Sequence, residues 1–179
     1  MSGPNGPIKR VLVLGAPGAG KSTFARALGV KIGAPVIHLD QLYWEPGWVI
    51  TDSGAFRRRC REAALAEQWV IDGTYSNTFD ERIPHADRIY WFDRGRISCM
   101  IRVLRRIFAS YGRVRSDMAD GCPEKLDFAF LRYVWFFNAT RRPRIVAALE
   151  QFGVQDRTHI IRSDRDAQMI LDASTASGG

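Results

Sequence analysis

Val11-Leu12-Val13-Leu14-Gly15-Ala16-Pro17-Gly18-Ala19-Gly20-Lys21-Ser22-Thr23 is the stretch on which the fold turns. Its first four residues form a short apolar run that stops at Gly15, the pattern of a buried strand. A helix is predicted over 21–32, ended near Gly33. Between the two, residues 15–22 satisfy GxxxxGK[ST] without a gap, in the strand–turn–helix context that the pattern requires. The chemistry assigns a task to each position. Gly15, Gly18 and Gly20 let backbone N–H groups turn toward one anion, with Pro17 and Ala19 completing the cradle. The helix start adds its positive dipole end. Lys21 offers an ammonium to the β- and γ-phosphates, the Ser22 hydroxyl is a ligand for Mg²⁺, and Thr23 can hold an α-phosphate oxygen. ATP and Mg²⁺ are therefore the expected ligands.

Outward from this run, further strands are predicted over 35–39, 69–71, 88–92 and 158–161. The stretch 41–48 reads as a loop crowded with aromatics and broken by Pro46-Gly47. Asp52 or Ser53 caps a helix expected to reach about Glu67. Two long helical stretches, 97–111 and 126–149, lie between the fourth and fifth strands, with a polar loop over 112–124 and a new segment opening at Pro143. Strands alternating with helices predict an α/β fold with a parallel sheet covered on both faces. The expected organisation is one domain over 1–172 and a small, polar, disordered tail over 173–179.

Two carboxylates follow strands and face the crevice beyond the strand ends, where ligands bind in open parallel sheets. Asp72 could hold a Mg²⁺-bound water or cap the next segment. Asp40 could orient an acceptor hydroxyl as general base, join the Mg²⁺ water shell, or be an ordinary turn residue. His38, inside a strand, reads as a satisfied core residue.

The formal charge is +7, from 26 basic against 19 acidic residues. All of the excess lies between Arg94 and Arg144, where 12 basic residues face four acidic ones. Such a cluster suits either a polyanion surface or arginines closing over phosphates. With 46% hydrophobic residues the chain is neither disordered nor collagen-like. No apolar run approaches the roughly 20 residues of a membrane helix, so no membrane partner is expected. Met1 to Pro7 lacks the order of a signal peptide. Cys60, Cys99 and Cys122 make no CxxC pair, which fits reduced thiols and a cytoplasmic location.

Several segments together resemble the nucleoside-monophosphate-kinase-like branch of P-loop proteins, which includes adenylate, shikimate and gluconate kinases. They are GAPGAGKST (15–23), HLDQLYWEPGW (38–48), WVIDGTYS (69–76), RVLRR (102–106), DMADGCPEK (117–125) and RRPRI (141–145). Within that branch the chain resembles the adenylate-kinase-related "DNA topology modulation" proteins, along nearly its whole length. That resemblance implies a P-loop NTPase three-layer sandwich. Its five-stranded parallel sheet would have the order 2-3-1-4-5, with a mobile helical lid after the fourth strand, about 97–142. It also implies an acceptor or Mg²⁺ role for Asp72 and for Asp40. Asp72-Gly73-Thr74-Tyr75-Ser76 stands where adenylate kinase has DGFPR, so the AMP-binding arginine is absent there. The lid lacks a four-cysteine zinc set.

Within that lid Arg102, Arg105 and Arg106 share one helical face without acidic neighbours in sequence. Arg113 and Arg115 follow in the loop. Arg102, Arg106, Arg113 and Arg115 are candidates to neutralise a transferring phosphoryl group, as Arg141 and Arg142 are for a return to the phosphates. Tyr43, Trp44 and Trp48 could stack on an acceptor ring or roof the core. Arg57, Arg58, Arg59 and Arg61 could bind an anionic acceptor or form a solvated face. Phe128, Phe130, Val134, Trp135 and Phe137 read as core or as cover for the lid hinge. The expected function is transfer of the γ-phosphoryl group of Mg·ATP to a small-molecule acceptor. A nucleic-acid-associated or regulatory P-loop ATPase is the alternative, and no recognised DNA-binding module supports its nucleic-acid form.

Overall fold

The computed structural model describes residues 8–174. Strand β1 (Arg10–Gly15) runs through the middle of a five-stranded parallel sheet, and its residues Val11 to Leu14 are fully buried. Each such side chain contributes roughly 1.5–3 kcal/mol of apolar transfer on folding. β1 leads through the glycine-rich turn into helix α1 (Lys21–Ile32), which ends on left-handed Gly33. Next come β2 (Val36–His38), α2 (Leu39–Tyr43), and a small antiparallel pair, β3 (Trp44–Glu45) with β4 (Val49–Ile50). Helix α3 (Ser53–Leu65) follows, then β5 (Trp69–Asp72), α4 (Phe79–Arg82) and β6 (Arg88–Phe92). The chain closes with α5 (Arg96–Ser110), α6 (Phe128–Thr140), α7 (Arg142–Gln151), β7 (Thr158–Ile161) and α8 (Asp164–Ala173).

The sheet order is β2-β5-β1-β6-β7, which is 2-3-1-4-5 when its own strands are counted in sequence. Register decides what the sheet presents. Asp72 is level with Val13 on one side and with His38 on the other, so the carboxylate and the imidazole stand on neighbouring strands below the glycine-rich turn. Phe24 of α1 packs edge-on against Tyr90 and Phe92 of β6, fixing the helix against the sheet.

Local details depart from the sequence expectations. Leu39 starts a short helix instead of ending a strand, because its side chain turns fully into the core. The expected 41–48 loop holds the end of that helix and a hairpin whose turn places Gly47 and Trp48 at positive φ. A non-glycine residue accepts that conformation only where contacts hold it. The Trp48 indole supplies one, donating to the Pro123 carbonyl at 3.2 Å. Asp52 caps α3 through the Ala55 N–H, and the helix stops at Leu65, short of Glu67. The 126–149 stretch breaks at Arg141, with Pro143 in the first turn of α7, where its missing N–H costs nothing. The tail expected from residue 173 has its first two residues in α8 and its cap, while 175–179 lie outside the described residues. Residues 1–7 lie outside them too. No described helix is long and apolar enough to cross a membrane.

The 111–127 segment, here called the strap, spans from α5 to α6 across the β3–β4 hairpin. Gly112 N–H donates to the Glu124 carbonyl and Glu124 N–H to that of Arg113, which pinches its base. Met118, Ala119 and Cys122 are buried against Trp44 and Trp48. Two of the segments that carry the resemblance, 38–48 and 117–125, thus meet in a small apolar cluster of their own.

Candidate active site

Gly15, Pro17, Gly18, Gly20, Lys21, Ser22 and Thr23 line one end of a cleft of about 1190 Å³. Glycine is required at 18: φ is +76° and a Cβ would lie 2.4 Å from the Cys99 carbonyl of α5. Ala19 does not line the cleft; its methyl group is buried and its N–H donates to Ala16. Lys21 Nζ donates to the Ala16 carbonyl at 2.9 Å, so its ammonium is held across the loop. Thr74 secures the loop's first residue, its hydroxyl donating to the Gly15 carbonyl and accepting from the Gly15 N–H.

Asp72 lies at the floor, 5% exposed, with Oδ2 at 3.0 Å from His38 Nδ1. His38 is thus a satisfied buried residue. Asp72 Oδ1 is also buried and has no partner among the described residues. An unpaired carboxylate oxygen at such a place calls for a cation or an ordered water. Asp40 lines the same cleft and accepts from the Tyr75 hydroxyl at 2.6 Å. Burial raises the Asp40 carboxyl above its ordinary value, nearby Asp72 adds to this, and the Tyr75 hydrogen bond and Lys21 oppose it. Burial and Asp40 together push the Tyr75 phenol far above its usual range. Among the described residues no three ligating side chains gather into a metal cage. One serine hydroxyl and one or two carboxylates fit Mg²⁺, which keeps several waters and leans on phosphate oxygens.

The arginines are differently placed than their helical spacing suggests. Arg102, Arg106 and Arg115 line the cleft, whereas Arg105 and Arg113 stand exposed outside it. Acids distant in sequence supply the missing partners. Asp164 pairs with Arg102 at 2.6 Å and with buried Arg94 at 2.8 Å. Glu124 joins Arg106 at 3.1 Å to Arg115 at 2.7 Å, and Asp117 takes the other edge of Arg115 at 2.9 Å. Burial opposes ionisation of Asp117, but Arg115 and a hydrogen bond from the Ser22 hydroxyl outweigh it and hold the carboxyl below its ordinary value. Arg141 lines the cleft over the Tyr133 ring, while Arg142 turns away to Asp93.

Arg57, Arg59 and Arg61 are engaged with Asp80, Glu81 and Glu45, which removes three of the four α3 arginines from an acceptor role. Tyr43 and Trp44 line the cleft and also pack edge-on against each other, so they both roof and border the cavity. Phe130 and Phe137 join them on the far side. Val134 is buried, whereas Phe128 and Trp135 are exposed rather than core.

Three contributors were not legible in the sequence. Tyr75 and Glu124 find their partners 35 and 18 residues away. Arg82 is fully buried without a carboxylate and donates to the carbonyls of Gly73, Thr74 and Tyr75, clamping the turn after β5. Burial lowers its pKa to about 10. The only signal was that Tyr75 and Glu124 lie inside segments 69–76 and 117–125.

No protein-family model matches the chain and no curated protein matches its sequence. Its fold has solved counterparts. A shikimate kinase from Acinetobacter baumannii, in complex with shikimate, superposes with TM-score 0.58 at 16% identity, over 96% of this chain and 95% of that one. A gluconokinase from Sinorhizobium meliloti 1021 gives 0.54 at 16%, over 96% and 91%. An unliganded sugar kinase from Janibacter gives 0.53 at 13%, over 97% and 99%. The chain has the α/β fold of the P-loop kinases.

Proposed function

We propose that the protein transfers the γ-phosphoryl group of ATP to a small-molecule acceptor, with Mg²⁺ as its cation. One observation carries this: the cleft that the phosphate loop lines is lined as well by Asp40, Asp72, Tyr43, Tyr75, Phe130, Tyr133 and Arg141. At about 1190 Å³ the cleft exceeds what one drug-sized ligand fills, which leaves room for an acceptor beside the nucleotide.

In this account the loop amides and Lys21 grip the terminal phosphates. Asp40 lines the cleft and takes the acceptor's proton, with the Tyr75 hydroxyl favouring its ionised form. Ser22 and Asp72 would hold the cation, which neutralises charge on the β- and γ-oxygens. Arg102, Arg106 and Arg115 supply positive charge around the transferred group. Arg113, exposed outside the cleft, has no part in it. Gly18 packs on Cys99, and Val103 is buried, so α5 is anchored to the phosphate loop. The closing element is then narrower than 97–142 and is centred on the strap. Five of the twelve basic residues of 94–144 are held in internal ion pairs, which leaves fewer for a nucleic-acid face. The resemblance to the "DNA topology modulation" proteins adds no chemistry to this reading.

The test is ADP release from Mg·ATP across a panel of nucleoside monophosphates and small hydroxy acids. One acceptor should accelerate release, and Lys21→Ala should remove that rate by roughly 10²–10³-fold without unfolding the chain. Slow release that no acceptor changes would instead mean a regulatory nucleotide-binding module.

A further inference from the structure

Tyr75, in the turn after β5, has φ +24°. A bulky residue keeps positive φ only where its surroundings enforce it, and such strain gathers at functional sites. Here the turn gains reach. Gly73 lies so close to α2 that a Cβ on it would come within 2.8 Å of Leu39 Cβ. The Thr74 hydroxyl bonds both the N–H and the carbonyl of Gly15, at 3.0 and 2.8 Å. Tyr75 then carries its hydroxyl to Asp40 at 2.6 Å. Thr74 is thus anchored twice on the phosphate loop, whereas the Tyr75 hydroxyl has Asp40 alone.

Behind the turn stands the Arg82 guanidinium, fully buried and outside the lining of the cleft. Nη1 donates to the Gly73 carbonyl at 3.0 Å, and Nη2 to those of Thr74 and Tyr75 at 2.9 and 3.0 Å. Nε donates to the carbonyl and the hydroxyl of Thr78, both at 3.2 Å, and that hydroxyl donates onward to the Tyr75 carbonyl at 3.1 Å. Every one of these bonds goes to residues 73–78, and none to a carboxylate. Burying a charge without a counter-charge is costly, and a neutral side chain would fill the same space without that cost. What a neutral filler lacks is the planar fork of N–H donors that gathers three successive carbonyls, and the compact ammonium of lysine lacks it too.

We infer that Arg82 is a positioning residue: its guanidinium gathers the carbonyls of 73–75 and thereby holds the strained Tyr75 with its hydroxyl on Asp40. Its consequence for turnover rests on Asp40 being the base of the proposed transfer. Its hold on the Tyr75–Asp40 bond does not.

Proton NMR of the full chain, with neither nucleotide nor acceptor added, tests the hold directly. A buried phenol donating to a carboxylate at 2.6 Å gives a resonance downfield of the amides, and Tyr75→Phe assigns it by removing it. Arg82→Lys keeps the charge and loses the fork. It should remove or shift that resonance in a chain that still unfolds cooperatively. Thr78→Val should weaken it while Arg82 is retained. With an accelerating acceptor, Arg82→Lys should lower kcat by about tenfold and leave KM for ATP within about threefold. In a Tyr75→Phe background it should lower kcat no further, whereas a merely structural defect would add to that loss. If either folded variant keeps the resonance at wild-type position and intensity, Arg82 only fills the core and the inference is overturned. A wild type without a resonance that Tyr75→Phe removes overturns it as well. Loss of the resonance in Arg82→Lys, with no acceptor accelerating ADP release, would uphold the positioning and count against phosphoryl transfer instead.

Discussion

The Tyr75 hydroxyl donates to Asp40 Oδ1 at 2.6 Å, joining the turn after β5 to the helix after β2. A hydrogen bond to an ionised carboxylate favours the ionised form, so it offsets part of the rise that burial imposes on Asp40. Tyr75→Phe removes that offset. The base then stays protonated to higher pH, and the acid limb of the acceptor-dependent kcat profile should move upward. An unmoved limb would mean that Asp40 is not the titrating base.

Asp40 also bears on stability. Its carboxyl is raised in the folded protein, so between the unfolded and folded values the native state binds the extra proton. Stability is then lost as pH rises through the folded value. Asp40→Asn removes that penalty, and Asn can still accept from Tyr75. Thermal melts should show a higher Tm for the variant at neutral pH and a smaller gain at acid pH, together with loss of acceptor-dependent turnover.

Gly18→Ala puts a Cβ 2.4 Å from the Cys99 carbonyl at a φ that side chains avoid. Denaturant unfolding should show a loss of roughly 1–3 kcal/mol. Nucleotide affinity should fall with it, because the loop and α5 must move apart.

Arg106 lies half-buried between Glu124 and the Phe130 ring. Arg106→Ala should reduce kcat by roughly 10²-fold and analogue affinity much less, if its charge acts on the transferring group. Equal losses in both would assign it to ground-state binding.

The phosphate end of the site was legible because its requirements are local. Glycines at 15, 18 and 20, a lysine at the helix start and a serine beside it act through backbone turns a few residues long. The parallel sheet followed from short apolar runs alternating with helical stretches. The acid–base partners were legible only by half. Asp72 ends a strand and Asp40 follows one, which sequence can locate, but the partner of Asp72, His38, comes from the neighbouring strand, and that of Asp40, Tyr75, from the turn after β5. The arginines misled for the same reason. Helical spacing grouped Arg102, Arg105 and Arg106, yet acids far along the chain decide which of them face the cleft. Segments 38–48 and 117–125 carry part of the resemblance, while the contact between them is purely tertiary and has no sequence period.

The most direct test of phosphoryl transfer follows the label from γ-³²P ATP with Mg²⁺ and the acceptor panel. The account predicts radioactivity on one organic acceptor, dependent on Lys21 and Asp40. Label recovered solely as inorganic phosphate, whatever acceptor is offered, would contradict it.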